Sequence, residues 1–107
     1  MNDIEKGKTT AIVAYITIIG SIVAIFMNQE ENKSEFASFH IRQALGISLT
    51  YFLLGYFIGY FDSWMVSSAF WLFIFILWIY GFIGCLSGDK RIVPLVGEFY
   101  QKLFKNL

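Results

Sequence analysis

The stretch Ser34-Glu35-Phe36-Ala37-Ser38-Phe39-His40-Ile41-Arg42-Gln43-Ala44-Leu45-Gly46 carries the chain's single histidine. It also marks the point where water-soluble sequence gives way to an apolar run. Read as a helix, Phe36, Phe39, His40 and Gln43 fall on one flank, because residues three and four apart stack on a common face. An aromatic pair followed by a polar pair suits a helix that lies at a membrane surface and then enters the bilayer. Three apolar segments and a tail are arranged around that point.

The chain has 107 residues, 57% of them apolar and 20% aromatic, against roughly 45–50% apolar residues in soluble domains. Its length allows one domain, residues 1–107. The apolar excess is concentrated in Thr10–Met27, Ala44–Phe61 and Met65–Leu86, and none of these runs contains Asp, Glu, Lys or Arg. A membrane-spanning helix needs about 20 mainly apolar residues. The expected fold is therefore all-α: an integral membrane protein with three transmembrane helices, at about 10–27, 44–61 and 65–86. Amphipathic helices are expected at about 33–43 and 94–107. A soluble three-helix bundle would need a polar face on each helix, and Phe70-Trp71-Leu72-Phe73-Ile74-Phe75-Ile76-Leu77-Trp78 offers none.

Net charge is zero, which gives no basic field for nucleic acid. The lone Cys85 excludes an internal disulfide and a cysteine-based metal site. Lys6 and Lys8 ahead of an apolar run imitate a signal peptide, but the run is long and ends in Phe26-Met27-Asn28-Gln29 without a small-residue cleavage site. It reads as an uncleaved first span.

That span has a stripe of small or polar residues, Thr10, Ala14, Thr17, Ser21, Ala24 and Asn28, at alternating steps of four and three. Such stripes let membrane helices approach closely, so Ser21 and Ala24 are candidate helix-packing positions. Asn32 with Glu35 reads as a cap that starts a helix near Lys33. That helix either continues into the second span or breaks near Arg42. In the second span, Gly55 and Gly59 form a Gly-x-x-x-Gly pair and are expected to face another helix. Asp62-Ser63-Trp64 is a tight connection, which makes spans two and three antiparallel neighbours. Pro94 suits the first turn of a last helix. Val96, Phe99, Tyr100, Leu103, Phe104 and Leu107 then give that helix an apolar face, expected to lie along the headgroups.

Catalysis needs an acid–base pair, an activated nucleophile or a metal. The spans contain no carboxylate, which rules out a two-aspartate hydrolase, and one His with one Cys does not make a conventional zinc site. No catalytic, cofactor-binding or metal residues are assigned, and the expectation is a protein that is not an enzyme and holds no cofactor. His40 is the residue with competing roles: a headgroup contact, a partner contact, a pH switch, or a hydrogen-bonded anchor beside Gln43. The anchor is the favoured one.

Phe39-His40-Ile41-Arg42-Gln43-Ala44 opening a span, with Gly88-Asp89-Lys90-Arg91-Ile92-Val93-Pro94-Leu95-Val96-Gly97 before a short last helix, resembles a family of small bacterial membrane proteins. These are related to the Tic-type component of the chloroplast inner-envelope import translocon. The resemblance carries over Phe39, His40, Gln43, Ala44, Pro94 and Gly97, and implies four membrane helices in the chloroplast members against three here. With Phe36 added, Phe36, Phe39, His40, Gln43, Pro94 and Gly97 form a candidate interaction motif. The function expected is an accessory or scaffold subunit of a larger membrane complex. The alternative is an import-translocon-like or solute channel component acting as an oligomer. Expected partners are the lipid bilayer and a membrane protein or further copies of the chain, with no nucleic acid.

With three spans, Lys6 and Lys8 lie on one side of the membrane. Lys33, Arg42, Lys90, Arg91, Lys102 and Lys105 lie on the other. The basic side is normally cytoplasmic, which predicts the bacterial inner membrane with the N-terminus outside and the C-terminus in the cytoplasm. Because spans two and three are antiparallel, His40 or Gln43 is expected to hydrogen-bond to Ser87–Pro94.

Overall fold

The computed structural model describes residues 2–107, and the described residues are all-α with connecting turns. The helices are α1 (Asp3–Ala14), α2 (Ile18–Met27), α3 (Glu35–Ile58), α4 (Trp64–Leu86) and α5 (Gly97–Leu103). Single 3-10 turns occupy Glu30–Asn32 and Gly59–Phe61.

Two helices, not three, are long and apolar enough to cross a membrane: Glu35–Phe61, 27 residues with its terminal turn, and Trp64–Leu86, 23 residues. At about 1.5 Å per residue either one covers a hydrocarbon core about 30 Å thick. The expected first span, 10–27, is broken. It falls into α1 of 12 residues and α2 of 10, each far short of a crossing. The break has local causes. Thr17 takes an extended conformation and its hydroxyl caps α2 by accepting from the Gly20 N–H at 3.2 Å, the role for which Thr is favoured at helix starts. Gly20 then lets α2 fold back on α1, because a Cβ there would run into the Val13 carbonyl oxygen. Ser21 Oγ closes the hairpin by donating to the Ala14 carbonyl at 2.8 Å.

The small-residue stripe is split by the turn. Thr10, Ala14, Ser21, Ala24 and Asn28 are buried, while Thr17 is exposed at the turn. It faces the inside of a helical hairpin and α3 instead of one face of a single span.

α3 is continuous from Glu35, so the helix expected at 33–43 and the second span are one element. Its cap is Ser34, whose hydroxyl accepts from the Ala37 N–H at 3.3 Å; the Asn32 cap expected from sequence is displaced by two residues. Asp3 of α1 adds a second cap from outside the helix, accepting from Glu35 N–H at 2.9 Å and Phe36 N–H at 2.8 Å. Burial opposes the ionised form of Asp3. The Phe36 N–H, Ser34, the Glu35 N–H and the nearby Lys90 charge outweigh it and hold the carboxyl below the ordinary value of 3.8.

The last helix is shorter than expected, seven residues from Gly97, instead of 94–107. Pro94 lies in the turn before it, and Leu95 takes a left-handed conformation with φ 71°. Nor does α5 lie free along the headgroups. It docks on α3, with the Tyr100 ring against Gly46, Tyr100 and Thr50 hydroxyls paired, and Gln101 Nε2 donating to the Phe39 carbonyl at 3.0 Å. Asn28 sits beside Ser34 and Ser38, and the Leu107 carbonyl accepts from Ser38. The starts of α1 and α3, the ends of α2 and α4, and the end of the tail therefore share one end of the α3–α4 pair.

Candidate functional site

The interior of that shared end is a hydrogen-bonded network built on α3. His40 and Gln43 are fully buried, one helical turn apart. Their ring and amide reach away from the α3 axis toward two irregular segments, the α1–α2 turn and the chain after α4. Phe36 and Phe39 pack edge-on against the imidazole with ring centroids 4.7 and 5.0 Å away. Both phenylalanines are buried, so they wall the network and do not meet the membrane surface as the sequence pattern implied.

The hydrogen bonds fix the protons. His40 Nε2 is 2.9 Å from the Asp89 carbonyl, which only accepts, so Nε2 carries the hydrogen. Nδ1 of the neutral ring is then an acceptor and takes the Tyr15 hydroxyl hydrogen across 2.6 Å. The Tyr15 oxygen in turn accepts from Gln43 Nε2 at 3.0 Å. The second Gln43 N–H goes to the Arg91 carbonyl at 3.0 Å, and Gln43 Oε1 accepts from Val93 N–H at 3.0 Å. Each polar atom of these three side chains has a partner of the right kind, and the set closes only with a neutral imidazole. A protonated Nδ1 would leave the Tyr15 hydroxyl hydrogen without this acceptor.

The expected tie between His40 or Gln43 and the segment after α4 is present, and both residues make it. Pro94 is near but exposed, and Gly97 is buried where a Cβ would strike the Ile92 side chain. The motif is thus brought together around the network, with Pro94 outside it. Ser21 and Ala24 pack inside the hairpin. Gly55 and Gly59 do not pack closely within the chain. A Cβ on Gly55 would meet only Phe70 at 3.6 Å, and one on Gly59 would meet nothing within 4 Å.

Three participants went unrecognised in the sequence, Tyr15, Trp78 and Asp3; a fourth, Gly81, stands among the small residues that end the third apolar run. Tyr15 sits inside an apolar run and reads as one more aromatic residue. Trp78 donates from Nε1 to the Tyr15 carbonyl at 2.7 Å, yet resembles a lipid-facing residue. Gly81 lets α4 approach, since a Cβ there would lie 2.8 Å from Gln43 Nε2 and 2.9 Å from the Tyr15 hydroxyl. Asp3 looks like part of a polar tail. The one available signal was the spacing Tyr15-x-Thr17-x-x-Gly20, a cap and a glycine in mid-run. Arg42 reaches the tail through Gln101 Oε1 at 3.3 Å and the Lys105 carbonyl at 3.5 Å.

Among the described residues, no group of three or more His, Cys, Asp or Glu residues is placed to hold a metal ion. The network is suited to holding backbone segments in place: both imidazole nitrogens and all three Gln43 bonding positions are committed within the chain.

A family model, MamF/MmsF, described as the magnetosome magnetite crystal formation protein family, matches residues 6–100. Comparison with curated proteins and with solved structures gives no match. The match overturns the resemblance to the Tic-type translocon component. The Phe-His-x-x-Gln-Ala and Pro-x-x-Gly pieces that carried it are short, and the structure explains them as backbone-holding positions, which do not discriminate between functions.

Proposed function

The chain belongs to the MamF/MmsF magnetosome magnetite crystal formation protein family, and from that premise we propose a non-enzymatic accessory role in a membrane where magnetite crystals form. The protein is a small membrane protein built on two apolar helices. The observation that carries the proposal is the closure of its polar interior. His40, Gln43 and Tyr15, the groups with most chemical potential at membrane depth, are spent on one another and on backbone. What is left to act on surroundings is the exposed charge at one end and the apolar flanks. A conducting oligomer is less well supported, since these polar side chains turn inward and do not line a path along α3 and α4.

Every Lys and Arg lies on α1, the Gln29–Lys33 loop, the start of α3 or the tail after α4, whereas the turn between α3 and α4 has Asp62 as its only charge. With two crossings, the positive-inside bias puts both terminal segments in the cytoplasm and the Asp62 turn across the membrane. Reporters of cytoplasmic and external location, fused after Leu107 and inserted at Asp62, test this. External activity at the C-terminal fusion overturns the orientation.

The crystal-formation role is tested by co-precipitating ferrous and ferric salts in vesicles with and without the reconstituted protein. A shifted or narrowed distribution of magnetite crystal sizes is expected. Distributions that coincide would refute the role.

A further inference from the structure

The mass of the molecule is distributed unevenly along α3 and α4. The α1–α2 hairpin and the tail both pack on the half that begins α3 and ends α4. The hairpin turn reaches as far as Ile47, Ser48, Tyr51 and Trp78, and the tail as far as Thr50. Beyond these levels α3 and α4 have only each other. Phe52, Leu53, Phe57, Trp64, Met65 and Leu72 are exposed there, and a cavity of about 480 Å³ opens beneath the hairpin turn.

Taking about 80 Å² for the cross-section of a helix 10 Å wide, the far half occupies two helices' worth of membrane area. The near half holds α1, α2, α3, α4 and the tail, at least twice as much. The extra elements are not a soluble cap. Ile19 and Phe26 on the outer face of α2 are 70% and 71% exposed, and Ile22 and Val23 lie between them. That is an apolar surface of the kind a leaflet would cover, and the charged loop Gln29–Lys33 follows α2 directly.

We infer that the chain is a membrane wedge: it inserts a hairpin and a tail into one leaflet only and favours bilayers in which that leaflet is convex. Its partner in this activity is a lipid surface of high curvature. The physical reason is area mismatch. Adding cross-section to one leaflet alone expands it relative to the other, and the strain is relieved when the expanded leaflet lies on the outside of a curved surface. Interfacial helices respond to curvature for the same reason. The inference rests on the membrane placement given above and does not depend on magnetite.

The full chain with Cys85→Ser and one added thiol, Lys105→Cys at the wide end or Phe61→Cys at the narrow end, is reconstituted into phosphatidylethanolamine–phosphatidylglycerol vesicles. Two sizes are compared, about 30 nm and about 200 nm across, a range over which curvature-sensitive insertion differs strongly. A membrane-impermeant thiol reagent reads which end is outside. On small vesicles the wide end should be outside several-fold more often than the narrow end, and on large vesicles the two should approach equality. Ile19→Lys with Phe26→Lys changes only exposed positions on α2 and should lift the hairpin out of the leaflet, abolishing the size dependence while α3 and α4 stay inserted. An orientation ratio independent of vesicle size, or a narrow end outside on small vesicles, overturns the wedge. Protein that floats free of both vesicle sizes overturns the membrane placement and the wedge with it.

Discussion

Replacing Tyr15 by Phe removes one oxygen from the centre of the network and leaves the ring, which is 2% exposed, in place. Two hydrogen bonds disappear, the one to His40 Nδ1 at 2.6 Å and the one from Gln43 Nε2 at 3.0 Å. A typical bond contributes about 0.5–1.5 kcal/mol net, and a buried group left without a partner costs about 1–3 kcal/mol. Nδ1 and one Gln43 N–H are both stranded, and Gly81 packs too close to admit a bridging water. The expected loss is therefore about 2–4 kcal/mol, at the severe end for one atom. For a domain of this size about 1 kcal/mol moves the melting temperature by roughly 4–8 °C. Thermal unfolding in mild detergent should thus fall by at least about 8 °C on that scale. Tyr60→Phe is the matched control, since its hydroxyl donates to Tyr56 across 2.7 Å on an exposed surface, and surface changes stay within about 0.5 kcal/mol. A cycle combining Tyr15→Phe with Gln43→Met should show coupling of about 0.5–3 kcal/mol, as expected for residues in one network. If the two tyrosine variants melt together, the bonds drawn here are not what holds the hairpin and tail, and the reasoning fails.

Gly81→Ala should destabilise the detergent-solubilised protein by roughly 1–3 kcal/mol through overpacking, whereas Gly59→Ala, with nothing in reach, should be neutral; equal effects would refute the packing. Nitrogen NMR of labelled His40 should show the Nε2–H tautomer, and the Nδ1–H form would reverse the bond directions assigned to Tyr15. Asp3 ionises more readily folded than unfolded, so its contribution to stability is present above the ordinary value of about 3.8 and is lost as pH falls through the lower folded value. Asp3→Asn should remove that acid dependence and loosen the start of α3 by about 1 kcal/mol, the usual size of a cap, measured as faster amide exchange at Glu35 and Phe36; an unchanged acid profile would count against the cap.

Much of this molecule was legible in its sequence. Composition and run length picked out the two helices that are long and apolar enough to cross a membrane, because a continuous apolar run of that length is a coarse feature that survives local detail. The tie from His40 and Gln43 to the segment after α4 followed from antiparallel neighbours. The first span was misread because hydropathy averages over about 20 residues and does not register a turn. Thr10–Met27 passes on composition, yet Thr17 and Gly20 let the chain reverse within it. For Gly55 and Gly59, spacing locates a smooth face but says nothing of what stands across from it. The close approach of Gly46 to Tyr100 joins elements far apart in sequence and leaves no periodic mark, whereas Gly81 stands in the cluster of small residues, Gly81, Gly84, Cys85 and Gly88, that ends the third apolar run.

One rule accounts for several polar residues in and beside the apolar runs. Non-helical backbone withdrawn from water must find its hydrogen bonds within the protein, and two segments show this, the α1–α2 turn and the stretch from Gly88 to Val96. At the first, the Tyr15 carbonyl is met by Trp78, the Gly20 N–H by Thr17 and the Ala14 carbonyl by Ser21. At the second, the Asp89 carbonyl is met by His40, while Gln43 serves both the Arg91 carbonyl and the Val93 N–H. Tyr15 then joins the two sets by bridging His40 and Gln43. Residues that look like a recognition motif in one dimension are therefore partners for exposed peptide groups in three. The wedge shape requires them, since a hairpin and a tail that stop partway through a bilayer are stable only when their turning points are covered from α3 and α4.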